Sequence, residues 1–410
     1  MTFQFWKLWT ALVISNVCDG IATVAIPLLT LTLTRDPAQV AGITVATRLP
    51  WLLFALPAGA LVDRLDRRWM MVGTDIFRTL ILLLLSFLVW KESVNLPIIY
   101  LAIFLFGIGE VFFDTAAQTI LPDLVSVKDI NQANGYVMSA ITIGNELTGP
   151  ALGSLLFTLI PVLPFAFQSV GLAAATLLVF LIKGQFQTTL ITPEVARHST
   201  KPLAMGLVDD ISQGFRWLMN NSVVRNLAIM TAILNLFEIS ALSVFILFAL
   251  ERMGVSQTVY GILLSAGAVG GLLASMVVSR LVNWLGTALC LFLSMFLGGI
   301  TTTIIILVPN VYIVGFMLAL ISFVGVIWSV ITVSIRQTLV PSNLLGRINS
   351  IYRVLSWGAI PLGALLGGIL SSNFGLTFPF LLNTLIVVLL SLIALPFLLK
   401  NQTISSVLDK

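Results

Sequence analysis

Five carboxylic acids in this sequence are surrounded by apolar residues: Asp19, Glu110, Asp114, Glu146 and Glu238. Asn16 lies one helical turn before Asp19, and Asn235 precedes Glu238 by the same step, so each pair would share a helix face. Glu110 and Asp114 are four residues apart and also fall on one face. An acid at the centre of a membrane helix costs about 2.5–3.5 kcal/mol on insertion scales, so such residues usually face a cavity or a partner. A carboxyl whose surroundings alternate between dry and wet can take a proton on one side and release it on the other. Asp19, Glu146 and Glu238 have no cation in their own stretch and are the expected proton carriers, with Glu110 next in line. Asp75 and Arg78, three apart, are expected to be a structural pair, and Asp114 is placed to contact the charged loop after residue 62. Arg48 is the lone cation well inside the second stretch, positioned either to reach outward along its aliphatic stem or to balance one of the acids.

The same inventory excludes other chemistry. One histidine (His198) and two distant cysteines (Cys18 and Cys290) do not make a zinc or iron–sulfur site. No lysine follows a glycine, which removes the phosphate-binding Gly-Lys of a P-loop. The acids are scattered with no nucleophile–base cluster, so no catalytic residue, metal or cofactor is expected. The aromatic residues form no identifiable substrate box.

The elements that must carry these acids follow from composition. Of 410 residues 58% are hydrophobic and 9% charged, and the mean hydropathy is +1.07. A soluble body of this size would carry about 25% charged residues. The chain reads as an integral, all-α membrane protein embedded in the lipid bilayer. Twelve apolar runs are long enough to cross as helices: 8–33, 39–62, 69–90, 97–117, 133–157, 163–182, 223–249, 257–279, 286–308, 311–335, 350–371 and 376–399. The first contains Asp19, exceeds a signal-peptide core and reads as a mature span. With both termini cytoplasmic, 16 of the 21 Lys and Arg fall on the cytoplasmic side and 3 opposite, which sets the orientation in a cell (inner) membrane. The net charge of +4 reflects that bias and not a nucleic-acid partner.

Six runs precede the polar stretch 183–222 and six follow it, giving an N-terminal half (1–182), a connector and a C-terminal half (223–410). Within the connector, Leu207 to Met219 alternates at helical spacing and suggests an interfacial helix. The halves resemble each other. Gln118-Thr119-Ile120-Leu121-Pro122 and Gln337-Thr338-Leu339-Val340-Pro341 close the fourth and tenth runs, 219 residues apart. Each precedes a span with a Gly/Pro cluster, Gly149-Pro150-Ala151-Leu152-Gly153 and Pro361-Leu362-Gly363 continuing to Gly367-Gly368. Duplicated halves with a midplane site are an architecture of secondary transporters.

The loop after the second run reads Gly59-Ala60-Leu61-Val62-Asp63-Arg64-Leu65-Asp66-Arg67-Arg68. With the six-plus-six layout it resembles the major facilitator superfamily signature G-x-L-x-D-R-x-G-R-R/K, with Asp66 where the family has glycine. The resemblance covers the whole chain and implies the major facilitator fold, with a cytoplasmic latch of Gly59, Asp63, Arg64, Arg67 and Arg68, and Asp114 nearby. A merely positive-inside loop would account for Arg67 and Arg68 alone. Gly149, Pro150 and Gly153 resemble the antiporter motif G-x-x-x-G-P-x-x-G-G, with Asn145 and Ser154 replacing its first and last glycines. An ordinary kinked span would also carry such residues. The family's drug–proton antiporters often have an arginine in the fourth span. This chain has none there, so Arg48 or Arg78 would substitute. Asn16–Asp19, Arg48-Leu49-Pro50 and Leu121-Pro122-Asp123-Leu124-Val125 leading to Asn134-Gly135 are similar to the macrolide-efflux and enterobactin-exporter branch. That resemblance implies export of a drug-like or siderophore-like molecule in exchange for protons by a monomer. An importer or lipid translocator of the same fold, and a polytopic membrane enzyme, are the alternatives.

Overall fold

The computed structural model describes residues 2–62, 65–184, 186, 213–341 and 344–400, and among them every regular element is helical. Asp63, Arg64 and the connector residues 187–212 lie outside the described residues. The first six helices are α1 (Phe3–Leu31), α2 (Pro37–Val62), α3 (Arg67–Trp90), α4 (Leu96–Leu124), α5 (130–159) and α6 (Leu163–Phe180). The second six are α7 (Ser222–Leu242), α8 (Gln257–Leu285), α9 (Thr287–Leu307), α10 (Val311–Leu339), α11 (Leu345–Phe374) and α12 (Phe378–Lys400). Short helical turns, Phe245–Leu247 and Phe248–Arg252, extend α7 to the loop before α8.

Eleven of these helices are long and apolar enough to cross a membrane without interruption. The twelfth, α5, is Ile130–Ile141 and Gly149–Leu159 joined through a π-helical segment, Thr142–Thr148. Several helices outrun the apolar stretches that announce them: α4 continues to Leu124 and α8 to Leu285. Hydropathy marks the part of a helix in hydrocarbon, whereas backbone hydrogen bonding continues through its polar ends. Polar side chains set the starts. Thr2, Asn95, Asn221 and Asn310 accept from backbone N–H groups in the first turns of α1, α4, α7 and α10, which otherwise lack partners.

Packing divides the chain into two compact units, one within Met1–Thr189 and Ile246–Ala268, the other within Leu190–Phe245 and Val269–Lys410. In the first unit, the stretch Ile246–Ala268, from the end of α7 into α8, packs with the first six helices. Ser265 Oγ donates to Leu147 O at 2.7 Å, and Arg35 pairs with Glu251 at 3.1 Å. The core of this unit joins Phe5, Leu8, Met71, Phe113, Ile120 and Val179 from α1, α3, α4 and α6. The second unit has its own core around Leu227, Val278, Leu291, Ile331, Ile335 and Leu398. Of the expected interfacial helix, residues 207–212 lie outside the described residues. Residues 213–220 are helical, and Leu218 is buried with Val224, Val340 and Ile348 of the second unit.

Each unit contains the same close crossing. In the first, Gly144 of α5 lies against Asn16 and Val17 of α1; in the second, Gly363 of α11 lies against Leu236 of α7. Gly144 and Gly363 are 219 residues apart, as are Val17 and Leu236. This is also the separation of the two Gln-Thr repeats.

Candidate functional site

In the first unit, α1, α3 and α4 bring the intramembrane charges together. Arg78 of α3 is fully buried and pairs through Nη2 with Asp19 Oδ1 of α1 and through Nη1 with Asp75 Oδ1 at 3.1 Å. Nη1 also donates to Ser15 Oγ at 3.2 Å. Above and below, the guanidinium lies over the rings of Phe106, at 4.3 Å, and Phe113, at 5.8 Å. The negative faces of aromatic rings favour a cation in that position. The aliphatic stem of Arg78 passes Gly109 of α4, where a Cβ would stand 2.6 Å from Cγ. Glu110 and Asp114 of α4 interact electrostatically with the same guanidinium. One buried cation therefore pairs with two carboxylates and lies within electrostatic reach of two more, from three helices in all.

This arrangement corrects one expectation. Asp19 does have a cation, supplied from α3; spacing along α1 cannot reveal a partner 59 residues away. The expected Asp75–Arg78 pair is present, as two sides of that larger cluster. Asp114 belongs to the buried neighbourhood with Glu110 and Arg78.

A cavity of about 240 Å³ opens beside the cluster, lined by Asp19, Thr23, Thr47, Arg48, Glu110 and Asn145 among others. Arg48 is exposed at this cavity, and among the described residues it forms no ion pair. Asn16 is buried but spends its Nδ2 on Leu12 O of its own helix at 2.8 Å. Glu146, expected deep within its span, sits on the π-helical segment, is exposed and lines neither cavity. The extra residue of a π turn rotates the face that a regular helix would present.

The second unit holds a larger cavity of about 500 Å³ enclosed by α7, α9, α10, α11 and α12. Glu238 and Asn235 line it, and Asn235 Nδ2 donates to Ser356 O at 2.7 Å. Asn16–Asp19 and Asn235–Glu238 are themselves 219 residues apart, a correspondence that names the two acids as counterparts. The wall also holds Trp328, whose Nε1 donates to Thr231 Oγ1 at 3.0 Å, and Arg336, whose Nε donates to Asn349 Oδ1 at 2.8 Å. Glu238 is the single carboxylic acid among the described residues of this unit, against Arg336 and Arg353 on the cavity wall. Sequence inspection missed this basic, aromatic wall. Its signal was two arginines, Arg336 near the end of α10 and Arg353 among the aromatic residues Tyr352 and Trp357 of α11, but they also fit a positive-inside loop.

The described latch residues perform structural tasks inside the first unit. Arg67 Nη1 donates to Asp123 Oδ2 at 2.6 Å and to Thr119 O at 3.1 Å, tying α3 to the end of α4. Arg68 Nη1 donates to Ile182 O at 2.6 Å beyond α6. Asp66, where the signature has glycine, caps α3: its Oδ1 accepts from the N–H groups of Arg68, at 3.0 Å, and Trp69, at 3.2 Å. A Cβ at Gly59 would meet nothing within 4 Å. By contrast, Gly149 of the antiporter-like motif is seated on α1, where a Cβ would stand 2.5 Å from Gly20 Cα, and one at Gly153 would stand 2.7 Å from Ile21 O. Pro150 is buried where the π segment of α5 passes into its last helical stretch.

Comparison with known proteins places this geometry. Residues 2–407 match a family described as transmembrane secretion effector, MFS_3. The chain is 26% identical over 389 residues to the multidrug efflux pump Tap of Mycolicibacterium fortuitum, covering 92% of this chain and 91% of that protein. It is 20% identical over 393 residues to macrolide efflux protein A of Streptococcus pyogenes, covering 95% of each. It is 26% identical over 375 residues to the enterobactin exporter EntS of Escherichia coli O1:K1 / APEC, covering 89% and 85%. Among solved structures, a variant of the nucleoside transporter NupG superposes with a TM-score of 0.75 at 12% identity, covering 97% of this chain and all of that one (100%). An inward-facing bacterial homologue of the iron transporter ferroportin gives 0.72 at 16%, covering 96% and 99%. At these identities the structures share the fold.

Proposed function

The chain belongs to the transmembrane secretion effector family of major facilitator transporters, and from that premise we propose that it exports a drug-like or siderophore-like small molecule across the cell membrane in exchange for protons. The halves 1–182 and 223–410, joined by 183–222, alternate access, with both termini in the cytoplasm. The named relatives are efflux pumps and exporters, which supports the outward direction.

The observation that carries proton coupling is the shared cation. Asp19 and Asp75 pair with one guanidinium, Arg78, which also lies within electrostatic reach of Glu110 and Asp114, and Asp19 and Glu110 also border a cavity. Carboxylates that share one cation compete for it, so a proton on one leaves the guanidinium to the others. A substrate or water entering the cavity changes that competition at Asp19, which gives transport and protonation a common group. Arg78 takes the role of the fourth-span arginine of the drug–proton antiporters. Glu238 is the counterpart acid of the second half; Arg48 is a cation that can offset charge at the cavity mouth. Gly59, Asp63, Arg64, Arg67 and Arg68 form the cytoplasmic latch.

The test is a transport screen in energised inverted membrane vesicles with a panel of drugs and siderophores. Uphill accumulation of a panel compound, lost on collapse of the proton gradient, is expected. Accumulation driven equally well without any gradient would remove proton coupling, and movement only in the opposite direction would make the protein an importer.

A further inference from the structure

The cavity of the second unit has features that packing alone does not explain. Arg336 is nine-tenths buried on its wall, and its Nη1 has no hydrogen-bond partner. Asn383, also on the wall and 1% exposed, donates Nδ2 to Thr302 Oγ1 at 2.9 Å but leaves Oδ1 without a partner. Buried polar atoms in folded proteins are nearly always satisfied, so an orphaned donor and an orphaned acceptor on two residues that line one cavity mark where a ligand's groups belong. Arg353 lies within electrostatic reach of Arg336, and among the described residues no carboxylate is paired with either. Two guanidinium groups without a counter-ion repel each other, and an anion between them relieves that cost.

The rest of the wall is aromatic. Arg336 stacks on Tyr352 with its guanidinium carbon 3.8 Å from the ring centroid, and Arg353 lies over Trp357 at 5.3 Å. Trp328 faces the same space and is fixed by Thr231. Flat guanidinium and indole surfaces favour a planar ring between them. Thr231 hydrogen-bonds to Tyr352, the ring on which Arg336 stacks, and Glu238 lies seven residues further along α7, about 10 Å at the rise of a helix.

We propose that this cavity is the recognition site for a ring-bearing organic anion, whose acidic group is held by Arg336 and Arg353 and whose hydroxyl or N–H donates to Asn383 Oδ1. The inference deepens the exporter reading by naming the class of molecule carried, and it rests on that reading for its biological meaning. The forked guanidinium explains why arginine, with its two-point geometry for carboxylates, stands there. It also divides the labour of the chain: an acid-rich cluster in the first unit for protons, a basic aromatic cavity in the second for cargo.

Binding is measured by calorimetry on the full chain in lipid nanodiscs, with three probes of nearly one shape: 3-hydroxy-2-naphthoate, its neutral amide, and naphthylmethylammonium. The naphthoate is expected to bind at least about tenfold more tightly than the amide, and the cation most weakly, in line with a charge-assisted two-point contact. Arg336→Gln should erase the preference for the anion, while Arg336→Lys, which keeps the charge and loses the fork, should retain part of it. Where Arg336→Gln does not fold, the exposed Arg353→Gln carries the same test and should reduce the preference. Equal binding of anion and amide by the wild type, or an unchanged preference in a folded Arg336→Gln or Arg353→Gln, overturns the assignment. Vesicle export is scored separately. Uphill pumping of neutral or cationic compounds with no anion preference sinks this inference alone, and anion binding without any pumping sinks the exporter reading alone.

Discussion

At the scale of single residues, the cost of a buried charge decides what each side chain can do. Arg78 is 0% exposed and cannot remain in the interior without its acids. Removing one partner of a buried pair usually costs about 3–5 kcal/mol, because the other is left uncompensated. Arg78→Met is accordingly expected to lower the unfolding midpoint of the purified protein sharply, and adding Asp75→Asn should recover part of the loss. If Arg78→Met alone unfolds at the wild-type midpoint, the cluster does not hold the first unit together. Asp19→Asn keeps the size of the side chain and an oxygen acceptor for Arg78 but cannot exchange a proton. Gradient-driven export should disappear in this variant while substrate exchange without a gradient survives. Uphill pumping that continues, with acidification on substrate addition, would move the proton carrier to Glu238 or Glu110.

At the scale of helices, two glycine sites with similar sequence signals have opposite mechanics. Gly149 touches Gly20 backbone to backbone, and no side chain there can swing aside. Gly149→Leu should therefore prevent α5 from seating on α1 and abolish folded protein in the membrane. Gly59 faces open space, so Gly59→Ala should fold at least as well as wild type, gaining up to about 1 kcal/mol from helix propensity. Any transport defect of Gly59→Ala would then report on motion and not on stability. Asp66 offers a third contrast, since it stands where the superfamily signature has glycine but caps α3. Asp66→Ala should cost about 0.5–2 kcal/mol and Asp66→Gly only a few tenths, measured by thermal unfolding.

For the whole molecule, the charge distribution makes orientation and movement testable. With the proposed topology, which puts sixteen of the cations on the cytoplasmic side with both termini, a C-terminal fluorescent-protein fusion should fluoresce and a C-terminal alkaline phosphatase fusion should stay inactive. The reverse pair of results would invert the topology. Asp63→Asn and Arg64→Ala should impair transport at unchanged membrane levels if a latch makes and breaks contacts during each cycle. Normal transport by both variants removes the latch from the account. The two cavities differ in charge: carboxyls crowd the interior of the first unit, and two guanidinium groups line the cavity of the second.

The sequence by itself determined the class of protein, because 58% hydrophobic residues in long runs leave no soluble alternative. It also showed the helices, the repeat and the intramembrane acids as candidates, since hydropathy, the 219-residue correspondence and the rarity of intramembrane charge are all local or self-comparing signals. Only the tertiary structure decided which charges meet. Asp19 and Arg78 are 59 residues apart, and the cation stands over Phe106 and Phe113 of a third helix, relations that no periodicity within one helix records. The turn of Glu146 away from both cavities was likewise invisible, because a π segment shifts the face of a helix without changing its hydropathy. The basic aromatic cavity needed the structure most: Arg336, Arg353 and Asn383 come from three helices, and only their convergence distinguishes a binding wall from a set of cytoplasmic charges.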